Sequence, residues 1–442
     1  MIDPITVISL MAEALGLSID LKEAAKAYAK KVRDTERQSF VAKWRTGQQK
    51  LRGMRSDLTR FLHEWYSSTA SASDDFLGIR YYSRNDSPNT SRVLPLVTKK
   101  GQLLADNPNF RGNAEYCGRL LEQNPNSHVG LTDDELVEQV SLWSALGMKI
   151  FDAPLYSLQE VSAEGDMKFR LTRFFVYRPT FGALPDELTL AVADHRIEEI
   201  RNNPDEYLPL RSKILPDLQV LTEFAGRIVA GGPAVLFAVT LPKGDVGVLL
   251  QRRSRTVSDE QGVFSVVPKA FHQPMVDADS EVSLRNTVLR ESYEELFGGE
   301  ETGGYVDPVH YLQKCDAVRE LADPEVATIQ PTGLVWDLSR GNYHPLYCCF
   351  VQDPHWWERY KSSVRLNWEV DPEVRPLVPL SDSKTLANIL GNEEWAPESY
   401  VALVEGLRWL AKGTKMSTKF SQSVKSLLPR MNLEPMAAVA RS

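Results

Sequence analysis

The sequence predicts an α/β protein, with a layered C-terminal domain of about 180 residues behind a mainly helical region that carries some strands. Two observations predict this. From Pro233 onward, short apolar runs rich in Val, Leu and Phe alternate with single helical stretches. Before that point the apolar residues recur mostly at three- and four-residue steps. The 442 residues are 43% apolar and 25% charged, which excludes a largely disordered chain and leaves room for two or three cores.

Residues 1–66 read as a helical arm. Ile8, Met11 and Leu15, then Phe40, Trp44, Leu51, Met54, Leu58, Phe61, Leu62 and Trp65, mark one helical face. Lys22 to Arg60 holds 12 basic and 4 acidic residues, a net of +8 in a chain whose total is −8. Such a stripe suits nucleic acid, anionic lipid or an acidic partner. Charge runs more often form a solvated face, here one that packs on the acidic body or pairs in a helical homo-oligomer, so nucleic acid ranks second. The acidic total argues against non-specific nucleic-acid binding by the whole surface.

Residues 67–228 read as an α+β accessory region. Ser67 to Asp74 is a small, polar linker, and Arg84 to Arg92 a second polar loop, followed by the apolar piece Val93 to Val97. Thr132-Asp133-Asp134-Glu135 opens a helix to about Leu146 as a capping box. Phe169 to Tyr177 alternates as a strand. Residues 184–228 read as helices broken at Pro204, Pro209 and Pro216.

Residues 229–412 form the layered domain. Val235 to Thr240 and Val246 to Arg252 make a hairpin over the turn Lys243-Gly244-Asp245, and Val263 to Val267 is a third strand stopped by Pro268. A helix from Glu281 to Phe297 ends at Gly298-Gly299. Ile329 to Trp336, Leu346 to Val351 and Leu377 to Leu380 follow as strands, then a helix from Pro397 to Leu410. Residues 413–442 read as a basic tail, a short helix and a frayed end.

Four cysteines, Cys117, Cys315, Cys348 and Cys349, form no CxxC pair. They read as reduced thiols, with Cys348 and Cys349 on opposite faces of one strand. No run approaches the ~20 apolar residues of a membrane helix. Ile5 to Leu17, interrupted by Glu13, lacks a basic lead and a cleavage site. No membrane partner and a cytoplasmic location are therefore expected.

The chemistry concentrates in Arg290-Glu291-Ser292-Tyr293-Glu294-Glu295. On an α-helix Glu291, Glu294 and Glu295 share about 100° of arc. Such like charges repel, and a divalent cation reverses that sign: hard carboxylate oxygens suit Mg²⁺, which takes further ligands from phosphates. Arg290 can fix one carboxylate. The opposite face, Leu284, Val288, Leu289, Leu296 and Phe297, anchors the helix.

The order VLFAVT, VGVLLQRR, FSVVP, loop, RESYEELFG resembles the Nudix hydrolase superfamily, in particular large actinobacterial Nudix-like proteins with an N-terminal extension. Arg290, Glu291, Glu294 and Glu295 match its Arg-Glu-x-x-Glu-Glu signature. The likeness is good over 233–300, weaker over 329–410 and absent from 1–165. It implies an α/β/α sandwich around a mixed sheet. It also implies Mg²⁺- or Mn²⁺-dependent hydrolysis of a pyrophosphate bond in a nucleotide-type small molecule. Glu291, Glu294 and Glu295 would be the metal ligands, and Glu294, Glu295, Arg290 and the later loop residue Glu369 the catalytic set, with Asp371 and Glu373 beside it. Arg252, Arg253, Lys269 and His272 are candidate phosphate contacts. Four departures stand out. Pro268-Lys269-Ala270 replaces Pro-Gly-Gly, the family's loop glutamate falls at Val282 beside Glu281, the family's glycine after the helix falls at Phe297 with Gly298 one residue late, and the loop is longer by about six residues. They support an alternative, a nucleotide-sensing regulator without turnover whose N-terminal helices bind a partner. Trp356, Trp357, Tyr360 and Trp368 offer rings for stacking, although WWERY reads first as a core anchor.

Overall fold

A computed structural model describes residues 34–67, 79–87, 90–99, 118–120, 142–146, 148, 152–161, 167–222, 224, 226–254, 262–275, 277–299, 311–365, 377–413 and 430–435. Glu369, Asp371, Glu373, Trp368, Cys117, the start of the arm and most of the linker lie outside the described residues.

Among the described residues the chain is mixed α/β around one mixed sheet of nine strands. These are β1 (Ile79–Ser87), β2 (Thr90–Lys99), β6 (Ala234–Thr240), β7 (Val246–Arg252), β8 (Phe264–Val266), β9 (Ala327–Asp337), β10 (Tyr343–Val351), β11 (Leu377–Pro379) and β12 (Arg430–Pro435). Their order is β11-β7-β6-β10-β9-β2-β1-β12, with β8 on β7. β6 and β10 run parallel, Leu346 opposite Ala234 through Val351 opposite Val239, and the other pairs are antiparallel. Three further strands, β3 (Gly118–Leu120), β4 (Pro154–Val161) and β5 (Met167–Arg173), make a second sheet in the order β3-β5-β4.

β6 and the Leu346–Val351 part of β10 read as unbroken apolar runs because both of their faces are buried. Val235, Phe237, Val239, Cys349 and Val351 join one core, under the helix α4 (Leu284–Glu291) through its Leu284, Val288 and Leu289. Leu236, Ala238, Leu346, Cys348 and Phe350 join the other, under α5 (Pro397–Gly413) through Tyr400, Val401, Val404 and Leu407. The sheet thus carries a helix on each face, and Cys348 and Cys349 point to opposite layers as free buried thiols.

The described part of the arm is two helices, α1 (Asp34–Gly53) and α2 (Arg55–Ser67). Trp44, Phe61, Leu62 and Tyr66 bury into the α4-side core. α1 crosses α3 (Leu184–Asp194) closely, because a Cβ at Gly47 would lie 1.9 Å from the Thr189 carbonyl oxygen. Two of the arm's cations are spent there: Lys43 pairs with Asp194, and Lys50 Nζ donates to the Ala193 carbonyl at 2.6 Å. Cations are favoured at that helix C-terminus.

Four local expectations change. Arg84 to Arg92 is not a polar loop: its described residues belong to the antiparallel strands β1 and β2, and Leu96 and Val97 of β2 pair with Asp337 and Trp336 of β9. β5 ends at Arg173, and Phe174–Tyr177 is a helical turn whose aromatics are buried. In the tail, Arg430–Pro435 is a strand on β1. The helix expected from Glu281 starts at Leu284. In the first and third cases, main-chain pairing along the sheet sets the conformation, and it needs no apolar period.

Candidate functional site

α4 buries Leu284, Val288 and Leu289 and delivers Arg290 and Glu291 in its last turn. From Ser292 to Leu296 the helix widens into a π turn. Ser292 Oγ donates to the Val288 carbonyl at 2.7 Å at the transition. Single π turns inside α-helices frequently mark functional sites. The widening shifts Glu294 and Glu295 from the arc that a regular helix gives them. Gly298, at φ +67°, ends the segment.

Two of the three acidic side chains meet one guanidinium. Arg290 Nη2 pairs with Glu291 Oε1, and Arg290 Nη1 lies 3.2 Å from both oxygens of Glu294. The same Nη1 lies 3.7 Å from Met275 Sδ. Glu295 accepts the main-chain N–H of Lys269, at 3.2 and 3.4 Å to its two oxygens. Arg290, Glu291, Glu294 and Glu295 are each no more than 4% exposed. Burial alone would lower the pKa of Arg290, but the Glu291 and Glu294 carboxylates more than offset it, so the guanidinium stays charged. Tyr311 stands in the same field. Its hydroxyl donates to the Asn286 carbonyl, and burial pushes it up to about 12.

The loop between β8 and α4 supplies the other wall. Its approach depends on glycines that the sequence places elsewhere. A Cβ at Gly232 would lie 2.1 Å from the Ala270 carbonyl oxygen and 2.5 Å from the His272 nitrogen. The His272 N–H donates to the Gly231 carbonyl at 2.7 Å. Gly231-Gly232, just before β6, thus let the main chain of the loop pack directly against the chain entering β6. Glu281 accepts the N–H groups of Met275 and Asp277 and folds the loop on itself.

The four candidate phosphate contacts are placed as follows. His272 is fully buried, with Nδ1 2.7 Å from Thr287 Oγ1 and Nε2 3.0 Å from the Val282 carbonyl, and burial pulls it down to about 3. It has no ring nitrogen to offer a phosphate. Lys269 brings its main chain to the glutamates, while its ammonium pairs with buried Glu398 at the start of α5. Arg252 donates to the Gly262 carbonyl at 2.8 Å and to Glu394 at 2.6 Å, and lies over the Phe264 ring. Arg253 is 7% exposed. Trp356 and Trp357 are core anchors: both are buried, and Trp356 meets Phe237 and Phe297.

Sequence reasoning missed Glu398, Met275 and the Gly231-Gly232-Pro233 approach. Only the last left a signal, two glycines and a proline directly before an apolar strand. Glu291, Glu294 and Glu295 fit a divalent cation by donor type, hard oxygens in a buried cluster. As placed, they turn to Arg290 and the loop amide, and among the described residues no three His, Cys, Asp or Glu side chains converge as a metal-holding group. A cation here would take over oxygens that the guanidinium now holds. No described helix is long and apolar enough to cross a membrane. No family model matches the chain, and no curated protein is found similar to it.

Proposed function

We propose that this chain is a Nudix-type hydrolase that cleaves a pyrophosphate bond in a nucleoside diphosphate-linked substrate. One observation supports the reading: Glu291, Glu294 and Glu295 are all buried at the end of one helix, two paired with Arg290 and one with the Lys269 amide. The four side chains carry a formal charge of −3 + 1 = −2, the size a divalent ion balances. Burying like charges is costly unless something repays it. The three glutamates would hold Mg²⁺ or Mn²⁺. The bound ion would supply positive charge to phosphate oxygens and acidify a water. The protein's own groups do the positioning. Arg290 fixes the directions of Glu291 and Glu294, and the Lys269 N–H fixes Glu295. Glu369 is the candidate proton acceptor.

The alternative, a nucleotide sensor without turnover, draws on one observation of its own. The Lys269 ammonium is committed to Glu398 instead of facing the glutamates. One experiment separates the two. The protein is incubated with Mg²⁺ or Mn²⁺ and a panel of ADP-ribose, NAD-type, dinucleoside polyphosphate and sugar-nucleotide compounds, beside a Glu294→Gln/Glu295→Gln double variant. Metal-dependent turnover that the double variant loses supports the hydrolase. Binding without turnover supports the sensor, and neither binding nor turnover sinks both.

A further inference from the structure

The three-stranded sheet touches the site loop at chosen points. The Tyr156 N–H of β4 donates to the His272 carbonyl at 3.0 Å, and the Tyr156 hydroxyl donates to the Ala278 carbonyl at 2.7 Å. The two bonds grip the loop six residues apart, on either side of Met275, the residue that contacts Arg290. Between them the Tyr156 ring lies on the His272 ring, centroids 4.2 Å apart, and the Phe169 ring of β5 meets His272 edge-on at 5.0 Å.

The His272 ring passes the grip on to the acidic helix. The Val282 carbonyl can only accept, so Nε2 carries the proton and donates to it. Nδ1 is then an acceptor, and the Thr287 hydroxyl of α4 donates to it at 2.7 Å. Thr287 lies one helical turn before Arg290. Lys269, whose N–H holds Glu295, is three residues before His272. Met275 therefore lies inside the segment clamped by the small sheet, and Lys269 lies just before it, where Pro268 and Ala270 also bond to Val235 and Pro233. β4 is also stitched to the chain entering β6: the Leu158 N–H donates to the Val229 carbonyl at 3.0 Å, and the Val229 N–H to Ser157 Oγ at 3.0 Å.

We propose that the three-stranded sheet is a brace for the β8–α4 loop, with Tyr156, His272 and Thr287 as positioning residues that hold the loop and its Met275 against the acidic helix. The inference rests on the hydrolase reading for its catalytic consequence. It assigns a purpose to the accessory region and to a buried histidine that does no chemistry itself.

The test uses the full chain with Tyr156→Phe, which removes only the hydroxyl, Thr287→Val, which removes the donor at constant shape, and Thr287→Ser, which restores it. Two quantities are read: amide hydrogen exchange in 269–278 and in β10, and kcat and KM on whichever substrate the panel identifies. The brace predicts loop exchange faster by about tenfold in Tyr156→Phe and Thr287→Val, with β10 unchanged. It also predicts kcat lower by about tenfold with KM within roughly twofold, and Thr287→Ser close to wild type. Loop exchange equal to wild type, exchange that rises equally in β10, or faster loop exchange with unchanged kcat each overturns the brace. A wild-type chain without turnover removes the hydrolase reading instead, and the exchange measurement alone then decides whether the loop is braced.

Discussion

The main-chain N–H of Lys269 holds the Glu295 carboxylate at 3.2 Å, while the side chain of the same residue crosses to the opposite layer and pairs with Glu398. Lys269 thereby ties the loop to the helices on both faces of the sheet. Its ammonium is structural, and its amide belongs to the site.

That division of labour makes Lys269→Met a stability variant. Burial raises the Glu398 carboxyl, but the Lys269 charge, the nearby His344 and the hydrogen bonds to Glu398 together outweigh this and bring it down to about 2. A carboxylate held below its unfolded value contributes stability that is present above about 4.5 and is lost as pH falls through the folded value. Breaking such a pair leaves a buried charge alone, so Lys269→Met is expected to lose roughly 3–5 kcal/mol at neutral pH. Urea unfolding at pH 7, 4 and 3 should show the gap to wild type narrowing on acidification. A gap that widens contradicts the pairing.

Gly232→Ala tests the approach of the loop. Its Cβ would meet two main-chain atoms of residues 270 and 272, neither of which is the end of a flexible side chain. The loop must shift, and a loss of about 3 kcal/mol is expected. Hydrogen exchange should rise in 269–275. Wild-type stability in this variant would show that the loop does not lie against Gly232.

Acid should weaken the fold through its buried histidines. His63, with Nε2 3.1 Å from the Leu94 carbonyl, is pulled by burial to about 4, and His272 to about 3. Both stay neutral in the fold while the unfolded chain takes up protons below about 6.5, so stability falls as pH drops from there toward 4. Each contributes a slope of about 1.4 kcal/mol per pH unit once its unfolded form is protonated. Urea midpoints between pH 7 and pH 4.5 measure the slope, and His63→Gln should remove one proton's share. A flat profile from pH 6.5 to 5 refutes the assignment.

The strands β6 and β7 and the Leu346–Val351 part of β10 are legible because burial on both faces writes a continuous apolar run, and Cys348 and Cys349 follow from strand geometry alone. The acidic helix was legible in composition but not in geometry. Nothing in Arg290 to Glu295 announces that the turn widens at Ser292, so the carboxylates could be named but not placed. Lys269 shows the deeper reason. Its type suggested a phosphate contact, but the direction of its side chain depends on Glu398, 129 residues away, which only the closed sheet brings near. His272 was ambiguous for the same cause, since only its neighbours Tyr156 and Thr287 decide its role. β1 and β12 join the sheet through main-chain bonds, which leave no trace in side-chain pattern.

Arg290 offers a test of the divalent-ion reading that needs no substrate. Its guanidinium stands between Glu291 and Glu294, and both carboxylates are almost wholly buried. Arg290→Met leaves them facing each other without that charge, and a loss of roughly 3–5 kcal/mol is expected in a metal-free buffer. Mg²⁺ should then act as the missing cation. A ligand that binds only the folded state stabilises it by about 2.7 kcal/mol at a hundredfold excess over its Kd. The Tm of Arg290→Met should therefore rise with Mg²⁺ more than that of wild type, where the ion must first displace the guanidinium. The rise should vanish when Glu291→Gln and Glu294→Gln are added. An Arg290→Met chain whose Tm ignores Mg²⁺ and Mn²⁺ up to millimolar levels would show that these carboxylates serve the ion pair alone, and the hydrolase reading would lose its metal site.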